Sequence, residues 1–173
     1  MIDLEKLESE FAELYQHQPQ LFKAPGRVNL IGEHTDHDEG FVLPMAIEQN
    51  VYVAAGLNPN NSTKRIIRVK SINLNSSAEI NLDQAFSKKN NWTDYIEGVA
   101  RILEQKGFRL NSTDLLINSD IPQGAGVSSS AALEVAVGRA LTEINRQPIE
   151  TTKLALIGQQ TEHKFIGVNC GIM

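Results

Sequence analysis

A loop of glycines and serines at positions 123–131 is the first feature of the sequence that could do chemistry. The run QGAGVSSSA lies between a predicted buried strand, DLLINS, and a predicted helix, SSSAALEVAVGRAL. Such a loop brings backbone N–H groups onto one anion, and a helix N-terminus favours negative charge. A Walker loop would end in Gly-Lys-Ser/Thr, whereas Val127 and Ser128 stand there. The alternative is a plain helix start with a capping serine, but three serines favour a phosphate site because a cap uses one hydroxyl.

A second candidate is the polar segment GRVNLIGEHTDHDEG, whose flanks are apolar. Carboxylates and imidazoles presented by one loop can hydrogen-bond several hydroxyls of a polyol. Two other interpretations stay open: a solvated acidic turn, or a transition-metal site made by the two histidines and a carboxylate. The arginine could instead form a surface ion pair. The polar residues are Arg27, Glu33, His34, Asp36, His37 and Asp38.

A third candidate lies in the segment TEHKFIGVNCGIM near the C-terminal end. Glu162, on a predicted helix, could reach a magnesium ion, which takes oxygen ligands and usually keeps several waters. Taken alone, Glu162 also fits a solvated helix position. His163 and Cys170 fit structural positions.

Composition excludes several classes of function. The 173 residues predict one domain, and the net charge of −5 gives no electrostatic footprint for nucleic acid. No apolar run approaches the roughly 18 residues of a membrane span. The single cysteine excludes an intrachain disulfide framework and indicates a reducing cytoplasm.

Hydrophobic periodicity predicts an α+β fold, a mixed or antiparallel sheet layered with helices on one face. The first helix carries the stripe Leu4, Leu7, Phe11 and Leu14. The predicted strands cover 28–31, 41–47, 51–57, RIIRVKS, AEINL and DLLINS; later helices begin near Trp92, in the serine run and at ETTKLALIGQQTEHKF.

The chain resembles the galactokinases, of the galactokinase–homoserine kinase–mevalonate kinase (GHMP) superfamily, over its whole length. Three motifs carry this resemblance: APGRVNLIGEHTD at 24–36, PQGAGVSSSAA at 122–132 and NCGIM at 169–173. It implies that residues 1–173 form an N-terminal GHMP kinase domain, similar to the second domain of ribosomal protein S5. It also implies transfer of the ATP γ-phosphoryl to the C1 hydroxyl of α-D-galactose.

The resemblance assigns roles to individual residues. Arg27 would stabilise the charge of the transition state. Ser130 and Glu162 would hold Mg²⁺, and the phosphates of ATP would lie on the loop. The implied phosphate-binding residues are Gly124, Ala125, Gly126, Val127, Ser128, Ser129 and Ser130, and the implied galactose-binding residues are Glu33, His34, Thr35, Asp36 and Gly171.

Two alternatives to a galactokinase stay open, an N-acetylgalactosamine kinase and a non-catalytic sensor that binds galactose and ATP. N-acetylgalactosamine kinases tend to have an apolar residue where Thr35 stands, and galactose sensors can lack residues after the serine run, where Ser130 and Ala131 are present. The chain departs from the usual GEHTDYN at His37 and Asp38, which affects loop packing and fine specificity.

The family's third motif continues with Asp-Gln, and the resemblance identifies that Asp as the catalytic base. The sequence ends at Met173, before that position and before the family's C-terminal half. We therefore expect the 173-residue chain to be inactive alone and to self-associate through the face that the C-terminal half would cover.

Overall fold

The computed structural model describes residues 2–31, 41–59, 63–122 and 124–172. Four α-helices and five β-strands are present in these ranges, and a π-helical turn follows the last α-helix. In chain order they are α1 (Leu4–Tyr15), β1 (Gln20–Asn29), β2 (Pro44–Leu57), β3 (Ile66–Ser71), β4 (Ser76–Asn81), α2 (Thr93–Gln105), β5 (Thr113–Ser119), α3 (Ser129–Ile144), α4 (Thr151–Thr161) and the π turn (Glu162–Ile166).

The five strands form one mixed sheet in the order β1-β2-β5-β3-β4. Only β3 and β5 run parallel; the other neighbouring pairs are antiparallel. This confirms the predicted α+β class. Strand β2 is a single strand of 14 residues, where the sequence predicted two, because pairing with β1 continues on both sides of the register shift, through Asn50 with Pro25 and Ala46 with Arg27. The register shifts between Pro25 and Arg27, where a proline on this edge strand cannot donate to the ladder.

Helices α2, α3 and α4 cover one face of the sheet and α1 covers the other, so the expectation of helices on one face was wrong for α1. The alternation of side chains along β2 shows this: Val51 and Val53 belong to the core under α2–α4, whereas Tyr52 and Ala54 pack with α1. Of the predicted stripe on α1, Leu7 and Phe11 are buried while Leu4 and Leu14 are exposed.

Helix α3 lies at the centre of the larger core, in contact with β1, β2, α2 and α4. Its buried positions are mostly small, including Ala132, Ala136, Gly138 and Ala140, which lets neighbouring elements approach closely. The glycine–serine loop opens this helix, so the loop is anchored to a helix that packs against both the sheet and two other helices. Among the described residues, no helix is both long enough and apolar enough to cross a membrane.

Candidate functional site

The backbone of the glycine–serine loop turns sharply before α3 begins. Gly124 and Gly126 have positive φ angles of 72° and 69°, and a side chain at either would meet open space. Ser128, the N-cap residue, also has a positive φ, of 58°, and its side chain makes no capping hydrogen bond. Ser128 therefore does not cap the helix with its side chain, which was the simple role that the sequence left open. The loop is an open turn at a helix N-terminus, and its conformation depends on the two glycines.

The loop is fastened to strand β1 beside Arg27. The backbone N–H of Arg27 donates to the carbonyl oxygen of Val127 at 3.1 Å. Gly26 makes this approach possible, because a Cβ there would lie 2.9 Å from the same carbonyl oxygen and 2.9 Å from Cδ1 of Ile47. Two sequence motifs nearly 100 residues apart thus meet at one point.

A cavity of about 260 Å³ opens next to this junction. It lies between the loop, the start of α3, α4 and the segment after the π turn. The predicted site residues that line it are Arg27, Ser128, Ser130, Glu162 and Gly171. The sequence did not indicate Glu134, Gly158 or Gln159, which line it as well.

The segment that carries Gly171 is held against α4 by hydrogen bonds to the backbone of Cys170. The side-chain amide of Gln159 donates to the Cys170 carbonyl at 3.1 Å, and Nε2 of His163 lies 2.9 Å from the same oxygen. The structural role expected for His163 agrees with this contact. Gly167, with φ of 87°, lets the chain turn back toward the cavity after the π turn.

Two carboxyl groups face this cavity from neighbouring helices, and both have raised pKa values. Burial raises the pKa of the Glu134 carboxyl to about 9, and the charge of Glu162 adds to the rise. Burial also raises the pKa of Glu162, against a hydrogen bond from Ser130 and the charge of His163, which lower it. The phenol of Tyr95 responds to the same charges, since burial and then Glu162 and Glu134 raise its pKa.

Ser130 and Glu162 could each contribute an oxygen ligand to a divalent cation. Their side chains interact, and a hydroxyl with a carboxylate suits a hard cation such as Mg²⁺. No group of three or more His, Cys, Asp and Glu residues forms a metal cluster within the described ranges. Two protein oxygens fit an ion that takes its other ligands from phosphates and water.

A second cavity, of about 290 Å³, lies on the other side of the serine run. Ser130 lines both cavities, so they meet at this residue. The sequence motifs did not indicate the second cavity, although the aromatic residues in the polar stretch KKNNWTDY were a usable signal. Its lining includes Asn73, Trp92, Tyr95, Ser129 and Leu133.

The other predicted sugar-binding residues, Glu33, His34, Thr35 and Asp36, lie outside the described residues, as do His37 and Asp38. The structure does describe the stem from which this segment starts. The N–H of Leu30 donates to the Leu43 carbonyl at 2.9 Å, and the N–H of Leu43 to the Ile31 carbonyl at 3.0 Å. The segment therefore begins five residues after Arg27, beyond the end of β1 at Asn29.

Two family models match the chain. The galactokinase galactose-binding signature matches residues 9–57, and the GHMP kinases N terminal domain matches residues 94–173. The galactokinases of Chloroflexus aurantiacus and of a Roseiflexus species are each 45% identical over the whole chain. The chain covers 44% of each relative, less than half of its length.

Solved structures show the same relationship. The galactokinase of Lactococcus lactis complexed with galactose superposes with a TM-score of 0.88 and 34% identity, over 98% of this chain and 44% of that one. The mevalonate kinase of Methanococcus jannaschii, at 20% identity and a TM-score of 0.73 over 91% of this chain and 50% of its own, shares the fold. The chain therefore has the fold of the GHMP kinase N-terminal domain, and it carries the galactokinase galactose-binding signature ahead of the part that the GHMP model matches.

Proposed function

We propose that the protein containing this chain is a galactokinase, which transfers the γ-phosphoryl group of ATP to the C1 hydroxyl of α-D-galactose. The products are galactose 1-phosphate and ADP. The observation that carries the proposal is the cavity where Arg27, Ser130, Glu162 and Gly171 meet, next to a loop shaped for phosphate. The Lactococcus lactis relative was solved with galactose, which supports the choice of sugar.

The phosphates of ATP are proposed to lie along residues 124–130. Backbone N–H groups of the open loop and the N-terminus of α3 supply positive charge there, which accounts for a phosphate site without a Walker lysine. Ser130 and Glu162 would hold Mg²⁺, which would neutralise part of the negative charge of the phosphates. The N-terminus of α3 and the Ser130 hydroxyl keep the phosphate chain in one orientation.

Arg27 is proposed to act on the transferring group itself. The backbone N–H of Arg27 donates a hydrogen bond to the phosphate loop. Arg27 also lines the cavity into which a γ-phosphate at Ser130 would point. A guanidinium fixed near the equatorial oxygens of a phosphoryl group stabilises charge that develops in the transition state. Phosphoryl transfer needs positioning and charge stabilisation above all, and both are available at this junction.

The nucleotide base is proposed to occupy the second cavity. Trp92, Tyr95 and Leu133 give it aromatic and apolar walls, suited to a flat, weakly polar ring. Because Ser130 lines both cavities, a base on one side and a sugar on the other would place the transferred phosphoryl group beside Ser130.

Galactose is proposed to be held by Glu33, His34, Thr35, Asp36 and Gly171. The match to the galactose-binding signature over residues 9–57 supports the first four, and the position of Gly171 in the cavity supports the fifth. Carboxylates can each accept from two neighbouring hydroxyls of a sugar, which gives selectivity for their arrangement.

An apolar face near the start of the sugar segment is proposed to be covered in the complete protein. Leu30, Ile31, Leu43 and Met45 are 56%, 67%, 52% and 49% exposed around the β1–β2 hairpin end. The curated relatives are more than twice as long as the part that this chain matches, so further polypeptide is the proposed cover. Association with a second copy is the alternative.

The experiment is a coupled ADP-release assay on the full gene product with ATP–Mg²⁺ and galactose. We expect galactose-dependent turnover of roughly 1–100 s⁻¹, as for other kinases. Asp36→Ala should abolish galactose binding in calorimetry while ATP binding persists, because charge-assisted hydrogen bonds worth about 1.5–3 kcal/mol each are lost.

Glu39→Ala is the matched control, since it removes a carboxylate from the same segment and lies outside both the galactokinase motif and the positions 37 and 38 that follow it. Unchanged galactose affinity in Asp36→Ala would refute the sugar assignment. Turnover with N-acetylgalactosamine in preference to galactose would establish the alternative sugar kinase. Tight binding of galactose and ATP without ADP release would establish a sensor.

A further inference from the structure

Glu134 is the most unusual charged residue of the domain. It lies inside α3 and is only 2% exposed. Its Oε1 atom is fully buried and has no hydrogen-bond partner in the part of the chain that the structure describes. Glutamate is almost never fully buried unless it is paired, because desolvation strongly disfavours an unpaired carboxyl. Such a group in a native core needs an explanation.

The position of Glu134 suggests one. Residues four apart on a helix lie one above the other on the same face. Glu134 is four residues after Ser130 on α3, and Glu162, the helical residue that follows the end of α4, is four residues after Gly158. All four residues line the same cavity, so the two helices face each other through two successive levels. One level pairs Ser130 with Glu162, and the next pairs Glu134 with Gly158.

Gly158 provides the space that the Glu134 carboxyl occupies. A Cβ at position 158 would lie 3.2 Å from Oε2 of Glu134, closer than ordinary van der Waals contact. The carboxyl is thus held against the backbone of α4, one turn before Glu162.

No described basic side chain forms an ion pair with Glu134, while Lys89, Arg101 and Arg139 each pair with other glutamates. The charge of Glu162 raises the pKa of Glu134, and Glu134 in turn raises the pKa of Tyr95. Arg27 also lines this cavity, and it forms no ion pair with Glu134. Two carboxyl groups in one buried cavity disfavour each other's ionised form. A divalent cation between them would compensate both, and it would give the orphaned oxygen a partner.

We propose that Glu134 is a second carboxylate of the cation site, holding a water bound to the cation from the level behind Ser130 and Glu162. It is a positioning residue, since it acts through the ion and its water and does not touch the sugar. This inference rests on the proposed function, which places the cation at Ser130 and Glu162. It adds a residue that sets how tightly that cation is held.

The test measures Mn²⁺, an oxygen-preferring substitute for Mg²⁺, by electron paramagnetic resonance of free Mn²⁺ in the presence of ADP and the full gene product. Glu134→Gln keeps the shape and replaces the carboxyl with an amide, which cannot ionise. Residues that support metal ligands change affinity by about 10–100-fold when they are mutated. We expect a loss of roughly tenfold in Mn²⁺ affinity at the lower end of that range.

Glu143→Gln is the matched control: the same substitution on the same helix, at a surface carboxylate paired with Arg139. It should leave Mn²⁺ affinity unchanged. A merely structural role of Glu134 would alter thermal stability and leave Mn²⁺ affinity at the wild-type value, and that result would overturn the inference. Should Glu134→Gln fail to fold, Gly158→Ala retains every charge and displaces the carboxyl, so wild-type affinity in that variant would overturn it as well.

Glu162→Gln separates this inference from the proposed function. If Glu162→Gln loses Mn²⁺ and Glu134→Gln does not, the cation site stands and the role of Glu134 is refuted. If the wild-type protein with ADP binds no Mn²⁺, both the cation site and this inference are refuted.

Discussion

Replacing Glu134 should flatten the dependence of stability on pH. Burial raises the pKa of this carboxyl from 4.5 to about 9, so the folded protein keeps a proton that the unfolded chain releases near 4.5. The folded state therefore binds more protons than the unfolded state between these values, and stability falls as pH rises through that window. Below pH 4.5 the carboxyl is protonated in both states and contributes no slope.

The magnitude follows from linkage. One proton of difference changes the free energy of unfolding by about 1.4 kcal/mol per pH unit. From pH 6 to pH 8 the Glu134 carboxyl therefore lowers the free energy of unfolding by at most ~2.7 kcal/mol. For a domain of this size each kcal/mol shifts Tm by about 2–4 °C, which gives a fall of about 5–11 °C. Glu162, whose pKa is also raised, acts in the same direction, so only the difference from Glu134→Gln isolates Glu134.

The assay is urea unfolding of the gene product at pH 6, 7 and 8, monitored by circular dichroism. EDTA is present throughout to remove divalent cations. Wild type should lose stability with rising pH, and Glu134→Gln should lose clearly less. Glu143→Gln, on the surface of the same helix, should follow wild type. If the wild-type and Glu134→Gln curves run parallel over the two pH units, the carboxyl is not kept neutral by its surroundings and the reasoning is wrong.

Two further predictions concern the second cavity and the opposite face of the sheet. Trp92, the single tryptophan of the 173 residues, lines the second cavity. We therefore expect ADP to change the intrinsic tryptophan fluorescence and galactose alone to leave it unaltered. If calorimetry shows that ADP binds while the fluorescence stays the same, the base does not occupy that cavity. Asp114 is fully buried and accepts hydrogen bonds from Nε and Nη2 of Arg68 at 2.6 and 2.8 Å, so Asp114→Asn should lower the free energy of unfolding by about 3 kcal/mol. Asp83→Asn, at an exposed pair with Arg65, is its control and should have little effect; equal losses in the two variants would contradict the buried-pair argument.

Much of the site could be predicted from sequence because its motifs are local. The glycine–serine loop and the helix behind it depend on φ preferences and a helix N-terminus, which neighbouring residues determine. What the sequence could not show was where the loop attaches. The contact of Val127 with the backbone at Arg27 joins distant segments through a bulge at Pro25, and no periodicity reports such a contact.

The face occupied by α1 was predicted wrongly for a related reason. Strand β5 is buried at five successive residues from Thr113, because helices cover both of its faces. Such a strand has no polar side that would indicate which face lies in contact with which helix. The packing of successive leucines distinguishes the faces: Leu115 belongs to the core under α2–α4, and Leu116 packs with α1.

Glu134 was not singled out because a glutamate in a helix ordinarily marks the solvent-exposed face. The run SSSAALEVAVGRAL nevertheless carried a usable signal: small and apolar residues surround Glu134 on every side of the helical projection. A helix that is apolar all round is buried, and a single acidic residue within it then lies in the core. Its function could not follow from this pattern, since the partner helix α4 brings Gly158 and Glu162 from another part of the chain.

The end of α4 shows how one residue serves both structure and chemistry. The backbone carbonyl of Glu162 accepts from the N–H groups of Gly167 at 2.7 Å and Val168 at 3.0 Å, which closes the π turn and sends the chain back toward the cavity. Its side chain meets Ser130 on the opposite helix. Because the turn depends on the carbonyl and the proposed cation site depends on the carboxylate, Glu162→Gln removes the second function and keeps the first. A loss of Mn²⁺ binding in that variant, with Gly171 still held through Cys170, can then be attributed to the carboxylate alone.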